Sequence, residues 1–267
     1  MEKAWLSEIF DSIQGEGIYL GVRQIFLRFA GCNLRCNYCD TPESLARRKW
    51  CKIKGTGYGE IENPLSVNNV IETIKKIFLP KIQYPTSRRY HSISLTGGEP
   101  LLQVDFIKRL IPYLKKMGLK IYLETNGTLP DVLKEILDDV DFIAMDIKLP
   151  SSTGQEFWKE HEEFLRQCAM NCTATMSDEK MVAVPIFVKI VVTPGTTEEE
   201  IRRASELIAE TDRNIPLVLQ PESKSIIDGR YSNSSKIRKW LGRKSSLSPF
   251  LGDVRVIPQI HKILGLL

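Results

Sequence analysis

The chain lacks what would send it into a membrane, onto a nucleic acid or into a disulfide framework. No apolar run approaches the roughly 20 residues that span a bilayer. The first thirty residues hold no apolar stretch behind a basic start, so no secretory leader is expected. Neither sign of charge dominates, with 37 basic residues against 33 acidic ones and a formal charge of +4. A nucleic-acid binder normally concentrates a basic face, so that partner class is not expected. There is no internal repeat and no low-complexity tract. These absences predict a soluble cytoplasmic protein. Thiols stay reduced there, which leaves the six cysteines for something other than disulfides. With 267 residues, 42% of them hydrophobic, the chain can bury a substantial core.

What is there begins with Cys32, Cys36 and Cys39, three thiols within eight residues. At this spacing three thiolates converge on one small, soft object, an iron–sulfur cluster or a zinc ion. A cubane has four irons, so three ligands leave one iron open. An open metal position marks a reactive site rather than a structural one. The alternatives are zinc completed by a fourth ligand elsewhere, or three unrelated buried cysteines. Cys51, Cys168 and Cys172 have no fourth partner and read as core or surface thiols. Of the three histidines, His91 and His161 are expected to be exposed, and His261 lies six residues from the last one.

Periodicity predicts strands at 23–29, 92–96, 120–124, 142–147, 185–192, 215–219 and 254–257. Helices are expected at 66–79 behind a serine cap, at 104–117 before Gly118, and at 131–137, 155–170, 197–208 and 235–241. Glu198, Glu199 and Glu200 favour the positive end of the helix they begin. Strands alternating with helices imply a parallel sheet. Six or so units are too few for a closed eight-stranded barrel, so the expected fold is α/β, a partial TIM-like (β/α)6 barrel forming a single domain over 1–267. Functional groups in such barrels sit where strands end. That rule gathers Cys32 to Cys39, Thr96 to Glu99, Glu124 to Asn126, Asp146 to Lys148, and Gln220 on one rim. Two stretches stand outside the alternation, a basic loop at 47–59 and an insertion near 151–184.

Local motifs leave choices open. In Thr96-Gly97-Gly98-Glu99-Pro100 the glycines allow a ligand close to the backbone. Glu99 is read as a site for an ammonium group or as a solvated turn, not as a packed residue. Gln14-Gly15-Glu16-Gly17 offers an amide and a carboxylate to a flat polar heterocycle, or is a surface turn. Arg28 interrupts an apolar strand and needs an anion, either a substrate carboxylate held in a bidentate clamp or a carboxylate of the protein. Thr41 offers a hydroxyl to Mg²⁺, or caps the turn begun by Pro42-Glu43.

The pair Cys32-x3-Cys36-x2-Cys39 and Thr96-Gly97-Gly98-Glu99-Pro100 resembles the radical S-adenosylmethionine superfamily, and activases of glycyl-radical enzymes share both motifs. The chain also has Phe10-Asp11-Ser12-Ile13-Gln14-Gly15-Glu16-Gly17, Arg28-Phe29-Ala30-Gly31-Cys32 and Cys39-Asp40-Thr41. It continues with Glu124-Thr125-Asn126-Gly127, Gln220-Pro221 and Gln259-x-His261-Lys262. That ordered set is similar to the 7-carboxy-7-deazaguanine synthase family of queuosine and 7-deazapurine biosynthesis. The resemblance implies a [4Fe-4S] cluster on Cys32, Cys36 and Cys39, and S-adenosylmethionine as catalytic cofactor. It implies radical conversion of 6-carboxy-5,6,7,8-tetrahydropterin to 7-carboxy-7-deazaguanine with loss of ammonia. Ile13, Gln14, Gly15, Arg28, Thr96 and the terminal Leu267 would then meet substrate, and Thr41 would ligate Mg²⁺. Gly98, Asp146, Ile147, Lys148, Gln220, Pro221, Glu222 and Ser223 would cradle S-adenosylmethionine. A homodimer is the family expectation. Ile260 departs from the family's usual threonine. The basic loop would dock an acidic reductase such as flavodoxin through electrostatic steering. A glycyl-radical activase, and a non-catalytic iron–sulfur or zinc module, stand as alternatives.

Overall fold

Side chains along a strand point alternately to its two faces, and here that alternation separates core from cavity. The computed structural model describes residues 3–55, 58–78, 89–170, 184–224 and 250–266. Its strands are β1 (Lys3–Ala4), β2 (Leu6–Ile13), β3 (Arg23–Phe29), β4 (Trp50–Lys54), β5 (Gly59–Glu62), β6 (Leu65–Ser66), β7 (Ser92–Gly97), β8 (Ile121–Thr125), β9 (Phe142–Asp146), β10 (Ile186–Val192), β11 (Leu217–Pro221) and β12 (Val254–Val256). The helices used below are α1 (Val67–Thr73), α2 (Val104–Lys116), α3 (Pro130–Leu133), α4 (Pro150–Thr153), α5 (Trp158–Met170) and α6 (Glu198–Thr211). Ten strands form one sheet in the order β12-β11-β10-β9-β8-β7-β3-β2-β4-β5. Every pairing from β3 to β12 is parallel.

One face of this sheet is apolar. Ile25, Leu27 and Phe29 of β3, Ile93 and Leu95 of β7, Leu123 of β8, Met145 of β9 and Ile190 of β10 join one core with Leu110, Phe164 and Ile208 from the helices. The other face carries Arg28, Thr96, Glu124, Asp146, Lys189 and Gln220, all lining a single cavity. Seven strands, β2, β3 and β7 to β11, contribute to that lining, so the sheet curls around it. An inner aromatic cluster of Tyr122, Phe142 and Phe187, with Tyr19 packed against it, fills part of the curl. The ring of Tyr19 lies 4.9 Å from Phe142, and that of His91 lies 4.7 Å from it. The expected α/β partial barrel is therefore present as an open, curled sheet. Its edge strands β5 and β12 do not pair with each other among the described residues. No described helix is long and apolar enough to cross a membrane.

Three regions differ from the sequence expectation. Residues 6–13 form β2, antiparallel to β3, where no strand was expected. Buried Ser7, Glu8 and Asp11 break its apolar pattern, and Glu8 and Asp11 are tolerated because cations pair with them. The stretch expected as a basic loop contains β4, which pairs with β2 and β5. Cys51 and Ile53 point inward from it while Trp50 and Lys52 face out. Much of the expected insertion is ordinary architecture. α5 is the crossover between β9 and β10, and it packs on α3 and α6 through a buried side that includes Phe164, Leu165 and Cys168. Residues 171–183, with Cys172, and the helix expected at 235–241 lie outside the described residues.

The serine cap expected before α1 is present, and α6 has a cap that was not expected. Ser66 and Asn69 close a reciprocal capping box on α1, and Thr197 and Glu200 do so on α6. Replacing Thr197 with alanine should cost about 1 kcal/mol, read as a lower urea midpoint with unchanged slope. A slope change, or no midpoint shift, would contradict the cap.

Candidate active site

The cavity has a volume of about 760 Å³ and opens where the parallel strands end. Cys32, Cys36 and Cys39 are all partly exposed and all line it. Their loop is held in place by amides. Asn33 donates to Thr128 Oγ1 at 2.8 Å and accepts from Asn126 Nδ2 at 2.9 Å. The backbone N–H of Asn37 donates to Ser152 O at 3.0 Å, and Arg35 donates to Cys32 O at 2.9 Å. Burial raises the pKa of the Cys32 and Cys36 thiols, with Lys148 pulling the other way. A bound cation would reverse that balance and take them as thiolates. Cys51 and Cys168 are buried in the main core, away from this loop.

Gly98 lets the next loop press against the cysteine loop. A Cβ there would stand 2.0 Å from Gly31 O and 3.2 Å from Cys32 Cβ. Glu99 corrects the sequence reading. It is fully buried, and its carboxylate accepts from Thr125 Oγ1 at 2.9 Å, Asn126 N at 2.8 Å and Leu101 N at 3.1 Å. Burial pushes its pKa up to about 7 against the pull of those donors. The residue clips two rim loops together and is packed rather than solvated.

The cavity wall carries a chain of paired charges. Lys189 bonds Glu16 and lies 3.4 Å from Asp146. Asp146 also takes Lys148 at 2.8 Å, and Lys148 reaches Tyr38 Oη at 3.1 Å. Burial alone would raise Glu16, but Lys189 and Gln259 outweigh it and hold the carboxyl at about 2. Glu124 accepts from Gln14 Nε2 at 2.8 Å, Ser94 Oγ at 3.0 Å and Thr96 Oγ1 at 2.9 Å. Gln14 also donates to Gln24 Oε1 at 3.1 Å, so both its N–H groups are committed within the protein. Arg28 pairs with Glu8 through Nε at 2.9 Å and lies over the Phe10 ring at 5.3 Å, while its side chain also lines the cavity. Thr41 occupies the N-cap position of the turn Pro42–Leu45, yet its hydroxyl makes no cap bond there. Two buried acceptors on residues of the wall, Asp146 Oδ1 and Gln220 Oε1, have no partner among the described residues.

Of the expected site residues, Ile13, Gln14, Gly15, Arg28, Thr41, Thr96, Gly98, Asp146, Lys148, Gln220, Glu222 and Ser223 all line the cavity with the three cysteines. Ile147 does not. Alternation turns it to the outer face, where it is fully buried in the main core. Pro221 is likewise absent from the lining, and Leu267 lies outside the described residues, although Leu266 reaches the cavity. The sequence reading assigned no role to Lys189, Tyr38 or Asp40, nor a partner to Glu16 and Glu124. Lys189 had the same signal as Arg28, a cation interrupting an apolar strand. His161 was expected at the surface but is fully buried. Its Nε2 lies 3.1 Å from Asn126 O and 3.4 Å from Lys148 N, joining two rim loops. His91 is half-buried rather than exposed.

Three soft thiols in one preorganised loop, above a wall with paired charges and two orphan acceptors, fit an iron–sulfur cluster and a polar organic ligand. Comparisons with known proteins agree. A profile described as the radical SAM superfamily matches residues 27–208. The 7-carboxy-7-deazaguanine synthase of Geobacter sulfurreducens is 38% identical over 98% of this chain and 97% of its own length. That of Methanothermobacter thermautotrophicus is 33% identical over 99% and 98%. Among solved structures, "Crystal structure of QueE from Escherichia coli" superposes with a TM-score of 0.57 at 19% identity, covering 97% of this chain and 95% of that one.

His161 gives the site a pH signature. Burial lowers its pKa from 6.5 to about 4. The unfolded chain therefore binds the extra proton between those values, and stability rises with pH across that window. Metal-free protein should keep this contribution above pH 6.5 and lose about 3 kcal/mol of it as pH falls towards 4. His161→Gln should flatten the slope in chemical denaturation at a series of pH values. Equal slopes for the two proteins would refute the assignment.

Proposed function

The chain belongs to the radical SAM superfamily and, within it, to the 7-carboxy-7-deazaguanine synthase family, and from that premise we propose how its cavity converts 6-carboxy-5,6,7,8-tetrahydropterin to 7-carboxy-7-deazaguanine with loss of ammonia. The observation that carries the reading is the meeting of three cysteines, Arg28 and Glu124 on one cavity. Cys32, Cys36 and Cys39 would hold a [4Fe-4S] cluster. Bound there, it supplies the electron for reductive cleavage of S-adenosylmethionine.

The protein's own part is binding, orientation and exclusion of water. Asp146 Oδ1 and Gln220 Oε1 are acceptors without donors among the described residues, and S-adenosylmethionine brings hydroxyl and amino donors that would satisfy them. Lys148 and Gly98 flank the same space, with Glu222 and Ser223 at its edge. Ile147 and Pro221 do not line the cavity, and the Ile147 N–H is given to Lys189 O, so neither is used for this cofactor. The pterin carries a carboxylate and ring N–H groups. Arg28 meets the carboxylate as a cation already oriented by Glu8 and Phe10. Three of the four lone pairs on Glu124 are filled by protein donors. The fourth, on Oε2, is left to accept a ring N–H. Gln14 and Thr96 act chiefly by orienting Glu124, while Ile13 and Gly15 shape the pocket wall. Thr41, whose hydroxyl makes no cap bond, is our ligand for Mg²⁺.

Arg47, Arg48 and Lys52 are exposed and would steer an acidic reductase such as flavodoxin. The working protein would be a cytoplasmic homodimer.

Anaerobically reconstituted protein given S-adenosylmethionine, reductant and the carboxypterin should release 7-carboxy-7-deazaguanine and ammonia. Cofactor cleavage without ring contraction, with a glycyl radical on a partner protein, would favour an activase instead. Arg28→Ala should lower kcat/KM about 10- to 100-fold through KM, the loss of a charged hydrogen bond, with iron content unchanged. Iron loss in that variant would contradict the clamp. Removal of Mg²⁺ should slow the wild-type enzyme, and Thr41→Val should abolish that dependence. A rate indifferent to chelation would rule the ion out.

A further inference from the structure

The segment 259–266 crosses the cavity mouth, and one buried amide decides where it lies. Gln259 is 7% exposed. Its Nε2 donates to Glu16 Oε1 at 2.5 Å and to Asp40 Oδ2 at 3.0 Å. Its Oε1 accepts from the Ser223 hydroxyl. The amide orientation is forced, because two ionised carboxylates can only accept and need the NH₂ end between them. Three parts of the chain therefore meet at one side chain: the loop after β2, the end of the cysteine loop, and the residues after β11.

Neighbouring contacts lock the same crossing. Ile260 N donates to Gly15 O at 2.9 Å. His261 packs so closely on Gly15 that a Cβ there would lie 2.0 Å from Nδ1. Lys262 reaches Asp40 Oδ2 at 3.0 Å. The ligand-type atoms of Glu16, Asp40 and His261 lie within 4.8 Å of one another, as in a cation site. However, the amide already bridges the two carboxylates, and Lys189 and Lys262 balance their charge. Hydrogen bonds rather than a metal hold them together.

The geometry points to Gln259 as the positioning residue that latches the 259–266 segment over the pterin, acting through Glu16 and Asp40. This rests on the function proposed above. The segment ends at Leu266, which lines the cavity, so loss of the latch would loosen the substrate wall. The cysteine loop keeps its separate anchors at Asn33 and Asn37.

Gln259→Glu keeps the shape but places a third carboxylate against two others. Gln259→Met keeps the reach and removes both polar ends. In the full-length protein without ligands, hydrogen exchange at the Ile260 amide should quicken about tenfold or more in the glutamate variant, and less in the methionine variant. KM for the carboxypterin should rise about tenfold while kcat, iron content and the global unfolding midpoint stay near wild type. Unchanged exchange and unchanged KM in Gln259→Glu would overturn the latch. A parallel fall in iron and midpoint with no KM change would also overturn it, as the mark of a merely structural residue. If the wild-type protein does not turn over the pterin at all, the proposed function fails, and the exchange measurement still decides the latch.

Discussion

The ammonium of Lys189 between Glu16 and Asp146 is the interaction the site depends on. A curled sheet that is to receive a polar ligand cannot fill its inner face with apolar side chains, and charges placed there must be paired. Lys189 pairs with both carboxylates at once. Through Asp146 it steadies Lys148 and Tyr38, the latter within the cysteine loop. Through Glu16 it steadies the loop after β2, and with it the segment at the cavity mouth. Removing the ammonium would leave Glu16 with the Gln259 amide and Asp146 with Lys148, so the loops above the sheet would lose the cation that joins them.

The outer architecture follows from simpler forces. Apolar side chains at every second strand position face the helices, and the crossover helices bury them. The inner positions are thereby released from the hydrophobic requirement. This division explains why so many chemistry-bearing residues converge on one cavity while Ile147, one residue from Asp146, belongs to the core.

Much of this was legible in the sequence because it rested on local signals. The parallel strands from β3 to β12, the cap at Ser66 and the cysteine spacing all depend on residues close in the chain. The rest was hidden because it depends on partners far away. β2 was missed because Glu8 and Asp11 look unfit for a buried strand until Arg28, Lys54 and Arg23 are placed beside them. Glu99 was misread for the same reason, since its three donors come partly from a loop 26 residues on. His161 was misplaced because α5 looked like an insertion instead of the β9–β10 crossover. Arg28 was open between substrate and protein, and the geometry gives it a protein carboxylate through Nε while its side chain stays on the cavity.

The central claim is that exactly these three thiols, and no fourth side chain, carry a cluster facing the charged cavity. The most direct test is the metal content and spectrum of anaerobically purified protein, with Cys32, Cys36 and Cys39 each changed in turn to alanine. The account predicts about four irons and four sulfides per wild-type chain, a spectrum altered by added S-adenosylmethionine, and loss of the cluster in each variant. Zinc in place of iron, a spectrum indifferent to S-adenosylmethionine, or a cluster that survives loss of any one cysteine would contradict it.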